Sequence, residues 1–216
     1  MTADAKITLF HSPNTRSTSV AVLLEELGAP HEIHWVNMKA GEQRKPAFLA
    51  VNPMGKVPAV KHGDAIVTEQ GALFIYLADL FPKAGLTPAL TDPLRGPYIR
   101  WLVYYGSCLE PAMVDKAMKR EPGPLAMSPY GTFEAVIDTI SGQLAKGPYL
   151  FGERITAADI LWGMAIKWMT GFKLLPERPE FGAYVKRVTE RPSFKKVGET
   201  DAKKVAEHEA AATKSG

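Results

Sequence analysis

The stretch that decides the fold is Val51-Asn-Pro-Met-Gly-Lys-Val-Pro-Ala-Val60, followed closely by Thr68-Glu-Gln-Gly-Ala-Leu73. Pro58 follows a β-branched valine and precedes an apolar pair, which predicts extended backbone around a residue that has no amide hydrogen to donate. We predict a cis bond between Val57 and Pro58, which would turn the amide and carbonyl of Val57 outward, toward a ligand. The first segment therefore predicts a binding site that is built from backbone.

Glu69 and Gln70 occupy the junction between a predicted strand, Ala65–Thr68, and a predicted helix, Gly71–Phe81. The first amides of a helix have no partner within the helix, and together with the helix dipole they favour an anion. The two segments together predict a pocket for a small peptide-like ligand, with an extended backbone held at Val57 and a carboxylate held at this junction.

The chain up to Phe81 alternates predicted strands and helices. Strands are predicted at Ile7–His11, His31–Val36, Val57–Lys61 and Ala65–Thr68, and helices at Arg16–Leu27, Lys45–Val51 and Gly71–Phe81. These assignments follow from apolar periodicity and from the turn residues between the segments. The order β-α-β-α-β-β-α is that of a thioredoxin-like unit, in which a small mixed sheet has helices on both faces.

Beyond this unit the sequence predicts helices alone, so the fold class is α/β followed by an all-α domain. The predicted divisions are a thioredoxin-like domain at 1–82, a linker rich in proline at 83–92 and a helical domain at 93–198. The tail 199–216 is mostly alanine, lysine and glutamate, so we expect a frayed helix or disorder there.

Composition excludes several classes of function. The chain has 216 residues, of which 46% are hydrophobic and 23% are charged, as in an ordinary globular protein. A net charge of +3 is too small to indicate nucleic-acid binding. No long apolar run or secretory signal is visible, and no histidine has the spacing of a metal ligand. Cys108 is the single cysteine, which fits a reducing compartment, so we expect a cytoplasmic protein without a metal.

Taken together, these features resemble the cytosolic glutathione transferases. The resemblance covers residues 6 to about 198 and rests on Asn52–Pro58, Glu69-Gln70 and a capping box, Thr156-Ala-Ala-Asp159, in the helical half. The loop Phe10–Ser17 holds neither a tyrosine nor a cysteine, and it resembles bacterial members rather than the animal classes that use a tyrosine.

The resemblance implies that glutathione is the cosubstrate, and it gives each of several residues a role. Val57 would pair its backbone with the cysteinyl part of glutathione, in the manner of an added strand. Glu69 would meet the ammonium of the γ-glutamyl end, and Gln70 would bind its α-carboxylate through its amide and side chain. Lys56 or Lys39 would meet the glycyl carboxylate, and spacing does not choose between them.

The reacting group would be the thiol, which is mostly protonated at neutral pH because free thiols have a pKa of about 8.5. A hydroxyl or amide donor near a helix N-terminus stabilises the thiolate. Ser12 matches the catalytic serine of serine-type members, and Asn14 matches the asparagine of a bacterial class with a Thr/Asn pair. Ser12 is the first candidate and Asn14 the second, although both residue types are also favoured as N-caps.

Trp101, Tyr104, Tyr105 and Cys108 share one face of a predicted helix. In the family such a face lines the pocket for the second substrate, and His11, at the end of the first strand, is a further candidate. Core packing explains the same aromatic stripe, so both interpretations remain open.

The resemblance implies a homodimeric detoxification enzyme, in which glutathione thiolate attacks a hydrophobic electrophile. One alternative is a glutathione-dependent peroxidase or disulfide reductase, which needs the same thiolate. A second alternative is a non-catalytic transferase-like binding protein. The Val57–Pro58 pair, the Glu69–Gln70 pair and the hydroxyl-bearing loop argue against that last class, because a scaffold has no need of a thiolate site.

Overall fold

A computed structural model of the chain describes residues 6–121 and 123–213. The chain divides into a first unit, Met1–Ala84 with Arg191–Gly216, and a second unit, Gly85–Glu190. This division differs from the predicted one, because the segment after 190 returns to the first unit instead of closing the helical domain. Within the described part of the chain, no helix is both long enough and apolar enough to cross a membrane.

The first unit contains a mixed four-stranded sheet in the order β2-β1-β3-β4. Its β1 is parallel to β2 and antiparallel to β3, and β3 is antiparallel to β4. The strands are β1 Ile7–His11, β2 His31–Trp35, β3 Ala59–His62 and β4 Ala65–Thr68, and the helices are α1 Ser17–Glu26, α2 Pro46–Leu49 and α3 Gln70–Leu80. The predicted thioredoxin-like fold class is therefore confirmed. Strand β3 begins after Pro58, since proline has no amide hydrogen to contribute to a ladder.

Helix α9, Pro192–Thr213, completes the first unit. The sequence predicts a helical domain that ends at 198 and a frayed or disordered tail after it. In the structure, residues 199–213 continue the helix, and residues 214–216 lie outside the described residues. The small number of apolar residues after 198 did not indicate a helix, because polar contacts supply much of what holds α9 to the rest of the unit. Arg191 and Ser193 bond to Glu26 in α1, and the carboxylate of Asp201 is buried.

The second unit is helical, as predicted. Its helices are α4 Arg95–Tyr104, α5 Glu110–Ala117, α6 Phe133–Leu144, α7 Ala157–Gly171 and α8 Pro179–Thr189. A π-helical turn, Tyr105–Leu109, joins α4 to α5. This irregular turn lies just before Pro111, which is tolerated in the first turn of α5.

Asp159, at the start of α7, is a structural residue. Its fully buried carboxylate accepts hydrogen bonds from the amide of Thr156 at 2.7 Å and from the Thr156 hydroxyl at 2.9 Å. The amide of Leu150 and the hydroxyl of Tyr184 also donate to it, at 2.8 and 3.0 Å. Burial raises the pKa of Asp159, and these donors offset part of that cost. The predicted capping box is present.

Candidate active site

One edge of the sheet gathers the candidate residues of the first unit. Phe10 of β1 pairs with Ala59 of β3, so the residues that follow Phe10 and those that precede Ala59 meet at this edge. Ala59 also pairs with Thr68 of β4, so the start of α3 lies at the same edge. The parallel strand β2 ends there too. The topology thus places at this edge Ser12, Asn14, Lys39, Lys56, Val57, Pro58, Glu69 and Gln70.

The loop between β1 and α1 is held by hydroxyl groups. Thr15 Oγ1 donates to the carbonyl of Ser12 at 2.7 Å, and the Ser12 amide donates to Ser17 Oγ at 3.1 Å. Ser12 itself is buried, yet its own hydroxyl makes no hydrogen bond to any residue that the structure describes. The loop therefore presents a positioned hydroxyl close to the N-terminus of α1.

Asn14 lies at the tip of this loop and is exposed. Its φ of 56° is in the left-handed region, which asparagine tolerates better than most residues. Helix α1 begins at Ser17 with Arg16 at its N-cap position and no side-chain cap. Neither Ser12 nor Asn14 is therefore the N-cap of α1, which removes the structural alternative that the sequence left open for both.

The turn before Val57 is organised by Asn52, a buried residue that opens the Asn52–Pro58 motif and for which the sequence predicted no role of its own. Its Nδ2 donates to the carbonyl of Lys56 at 2.8 Å, and its Oδ1 accepts from the amide of Met54 at 3.1 Å. Gly55 within the turn has a φ of 61°. The Asn-Pro-x-Gly pattern is a turn signal and was the clue to this role.

Val57 contributes its side chain to the core and its backbone to the sheet edge. The side chain belongs to a buried apolar cluster with Phe10, Val36, Phe48 and Ala59. The Val57–Pro58 peptide bond is cis. Because the side chain packs within this cluster, any contact of Val57 with a ligand would come from its backbone.

Glu69 and Gln70 differ in exposure. Glu69 is exposed, has a φ of 64°, and has no ion-pair partner among the residues that the structure describes. Gln70 is buried, and its Nε2 donates to the carbonyl of Arg16 at 3.1 Å and to Ser19 Oγ at 2.9 Å. The Gln70 side-chain nitrogen thus ties α3 to α1, a role that the resemblance did not imply, while its backbone amide begins α3.

The two candidate lysines are both exposed. Lys39 Nζ lies 3.1 Å from Glu209 Oε1 in α9, with both side chains mostly in solvent. Such an exposed pair contributes at most about 1 kcal/mol, so it competes weakly with a ligand carboxylate. The backbone carbonyl of Lys56 accepts from Asn52, which fixes where the Lys56 side chain starts.

His11 is fully buried and has both ring nitrogens engaged within the first unit. Nδ1 lies 2.6 Å from Ser17 Oγ, and Nε2 lies 2.7 Å from Asp201 Oδ1. The ring packs beside Trp35 at 5.0 Å between centroids. His11 is therefore an interior residue of the first unit and not part of a pocket for the second substrate. Its partner Asp201 gave no sequence signal, because 190 positions separate the two residues.

The aromatic face of the second unit packs on Trp162, which the sequence analysis did not name as a site residue. The ring centroids of Trp101 and Tyr105 lie 5.4 and 6.0 Å from that of Trp162, and both residues are buried. Tyr104 is half-buried, stacks on Trp162 at 6.1 Å, and has the guanidinium of Arg100 over its ring at 4.4 Å. For Trp101 and Tyr105, the structure therefore favours core packing over a place in the pocket for the second substrate.

The remaining candidate of this face, Cys108, is half-buried, and its thiol lies 3.8 Å from the carbonyl of Pro129. Burial raises the pKa of the Tyr104 phenol above its usual value. Tyr104 and Cys108 are thus the two members of the predicted pocket that keep part of their surface in solvent. Among the described residues, no group of three or more histidine, cysteine or acidic side chains is arranged to hold a metal ion.

Family models match both units. The model for the glutathione S-transferase N-terminal domain matches residues 5–79, and the model for the glutathione S-transferase C-terminal domain matches residues 130–187. Glutathione S-transferase F10 of Arabidopsis thaliana is 26% identical over 207 residues, which cover 88% of this chain and 95% of the relative.

Solved structures agree with these matches. A glutathione transferase homologue from Sulfitobacter, with bound glutathione, superposes with a TM-score of 0.72 at 30% identity, covering 91% of this chain and 98% of that one. Glutathione transferase URE2P6 from Phanerochaete chrysosporium, in complex with oxidized glutathione, gives a TM-score of 0.76 at 27% identity, covering 94% and 99%. The chain therefore belongs to the glutathione S-transferase family of enzymes.

Proposed function

We propose that this enzyme activates glutathione as a thiolate beside Ser12 and conjugates it to a hydrophobic electrophile. The observation that carries the proposal is the Ser12 hydroxyl, which is positioned by the loop and makes no hydrogen bond within the described residues. A hydroxyl donor near a helix N-terminus favours the charged form of a thiol. Asn14, at the exposed tip of the same loop, is the second donor in this proposal.

The glutathione molecule would lie along the sheet edge. The backbone of Val57 would pair with its cysteinyl part, and the unpaired carboxylate of Glu69 would meet its ammonium group. Its α-carboxylate would sit at the N-terminus of α3, against the backbone amide of Gln70 more than its side chain, because that side chain already bonds to α1. Lys56 or Lys39 would meet the glycyl carboxylate.

The electrophile would be held by the partly exposed aromatic surface of the second unit. Tyr104 keeps part of its surface in solvent beside Arg100, and Cys108 lies on the adjoining π-helical turn. The apolar character of this surface supports a hydrophobic acceptor, as in a detoxification reaction. No metal enters the proposed reaction.

The proposal is tested by binding and turnover. We expect retention on immobilised glutathione and turnover of a chloronitrobenzene. Turnover of hydroperoxides or of hydroxyethyl disulfide alone would replace conjugation with peroxidase or reductase chemistry. An absence of glutathione binding at millimolar concentration would refute the enzymatic proposal altogether and would favour a transferase-like binding protein.

Homodimer formation belongs to the proposal, and it rests on family resemblance. Light scattering coupled to size-exclusion chromatography would give the mass of the particle, and a mass of 23.6 kDa, that of one chain, would contradict it. A cytoplasmic location is also proposed, because a chain with one cysteine gains no disulfide from an oxidising compartment.

A further inference from the structure

Asp201 is a buried carboxylate on α9 that faces the loop between β1 and α1. Its Oδ1 lies 2.7 Å from His11 Nε2, and its Oδ2 accepts a hydrogen bond from Thr18 Oγ1 at 2.9 Å. The amide of Asn14 lies 3.4 Å from Oδ2. A carboxylate that is 3% exposed is costly unless it is paired and hydrogen-bonded, and here the three partners lie between His11, which ends β1, and Thr18, in the first turn of α1.

The contact continues from His11 to Ser12. His11 Nδ1 lies 2.6 Å from Ser17 Oγ, which accepts from the Ser12 amide at 3.1 Å and lies 3.1 Å from the Ser12 carbonyl. If His11 is neutral, its Nε2–H donates to Asp201 and the Ser17 hydroxyl donates to Nδ1. If His11 is protonated, Nδ1–H donates to Ser17 Oγ, and the Ser17 hydroxyl donates to the Ser12 carbonyl. Both arrangements keep Ser17 bonded to the Ser12 backbone.

Asp201, His11 and Ser17 have the residue types of a hydrolase triad, but their burial excludes that function. Ser17 is fully buried, so its hydroxyl cannot meet a substrate. Ser17 Oγ also bonds to Thr15 Oγ1 at 2.7 Å, which fits a structural hydroxyl. The chain of contacts therefore acts on the backbone of the loop.

We propose that Asp201 is a positioning residue for the thiolate site, because through His11 and Ser17 it fixes the backbone from which the Ser12 hydroxyl projects. Residues 199–213 of α9, for which the sequence predicted a frayed helix or disorder, are thereby part of the support of the glutathione site. The inference rests on the proposed function, since it assumes that the loop activates the thiol of glutathione.

The position of α9 agrees with such a role. Its first turn is held to α1 by the bonds of Arg191 and Ser193 to Glu26, so Asp201 reaches the loop from a helix whose start is fixed. A small cavity beside Asp201 is lined by Glu25, His31 and Lys196 together with apolar side chains of α1, β2 and α9. Lys196 forms its ion pair with Glu25 at 2.7 Å, whereas the carboxylate of Asp201 contacts His11.

The test replaces Asp201 in the full chain and measures the thiol of bound glutathione. Asp201→Asn keeps the size of the side chain but removes its charge and one acceptor oxygen. We expect the pKa of the bound thiol, read from the ultraviolet absorbance of the thiolate against pH, to rise by about one unit. Glutathione affinity should change much less, because Val57, Glu69 and the α3 N-terminus are untouched. Glu199→Gln, an exposed change in the same helix, is the control and should leave both quantities as in the wild type.

Two measurements keep the inference falsifiable if Asp201→Asn does not fold. Ser17→Ala cuts the contact between His11 and Ser12, and it should raise the pKa of the bound thiol in the same way. In the unmodified protein, nitrogen NMR of His11 should shift when glutathione is added. A folded Asp201→Asn or Ser17→Ala variant with a wild-type thiol pKa would overturn the inference, as would a His11 signal that ignores glutathione. If the wild type itself binds glutathione without forming thiolate, the proposed function fails instead.

Discussion

The carboxylate of Glu26 accepts hydrogen bonds from Nε and Nη2 of Arg191 at 2.8 and 2.6 Å. The Ser193 hydroxyl donates to the same carboxylate at 2.5 Å. Burial alone would raise the pKa of Glu26, but the hydrogen bonds from Arg191 and Ser193 and the Arg191 charge hold it below its ordinary value of 4.5. This contact joins the end of α1 to the start of α9, and it makes the attachment of α9 sensitive to acid.

Glu26→Gln should lower stability at neutral pH but not in acid. Because the folded pKa is the lower one, the ion pair stabilises the native state above the unfolded pKa and loses that effect as pH falls through the folded pKa. We expect a loss of roughly 1–3 kcal/mol at neutral pH, measured by urea unfolding at a series of pH values. Glu32→Gln, which removes an exposed pair with Lys6, is the control. A deficit that persists unchanged in acid would contradict the assignment.

Gly55→Ala should be more damaging than Gly28→Ala, although the two glycines have φ values of 61° and 60°. A Cβ at Gly55 would lie 2.8 Å from the carbonyl oxygen of Gln43, whereas none of the atoms that the structure describes lies within 4 Å of one at Gly28. Gly28→Ala should cost about 1–2 kcal/mol from the left-handed backbone alone. Gly55→Ala should cost more and weaken glutathione binding, because it moves the turn before Val57. Equal unfolding free energies would show that the turn adjusts without strain.

Asp159→Asn should destabilise the protein by leaving two donors unmatched. The amide nitrogen of the new side chain would face the amide and hydroxyl of Thr156, which now donate to Oδ2. We expect a loss of about 1–3 kcal/mol for each buried group left without a partner. Asp138→Asn, which affects an exposed pair with Arg178, should change the unfolding free energy far less. Calorimetry or urea unfolding would compare the two, and equal losses would contradict the role of Asp159.

Trp101→Ala and Tyr104→Ala should have different effects, because Trp101 is a core residue and Tyr104 belongs to the proposed pocket. Trp101 is 4% exposed and packs edge-on against Trp162, so its removal should cost about 3–5 kcal/mol. Tyr104 is half-buried, so its removal should cost less stability and instead raise KM for the electrophile. Unfolding and steady-state kinetics with a chloronitrobenzene would measure both. A large rise in KM for a folded Trp101→Ala variant with intact Tyr104 would reverse the assignment.

The sequence was sufficient for the strands and helices from β1 to α3 because the signals there are local. The β-favouring run Ile7–His11, the proline at 58 and the strand-to-helix junction at Glu69 are each local signals, and the structure has the corresponding strands and helices in that order. The fold class and the family followed from these signals.

What the sequence missed depends on contacts between distant residues. Helix α9 has few apolar residues, and its attachment through Asp201 and Arg191 joins positions more than a hundred residues apart. The burial of the Gln70 side chain against α1 is of the same kind. The aromatic residues of α4 pack against Trp162, which belongs to α7. Periodicity within one helix could not predict this contact, because it carries no information about which other helix lies opposite.

The decisive measurement is the pKa of the glutathione thiol bound to the wild type, to Ser12→Ala and to Asn14→Ala. Ultraviolet absorbance of the thiolate, followed against pH, reports it for all three proteins. Because hydrogen bonds hold the backbone of Ser12 in place, whereas Asn14 lies at the exposed tip of the loop, we predict that Ser12→Ala raises this pKa by about one unit and Asn14→Ala by less. An equal or reversed effect would contradict the assignment of Ser12 as the group that activates the thiol.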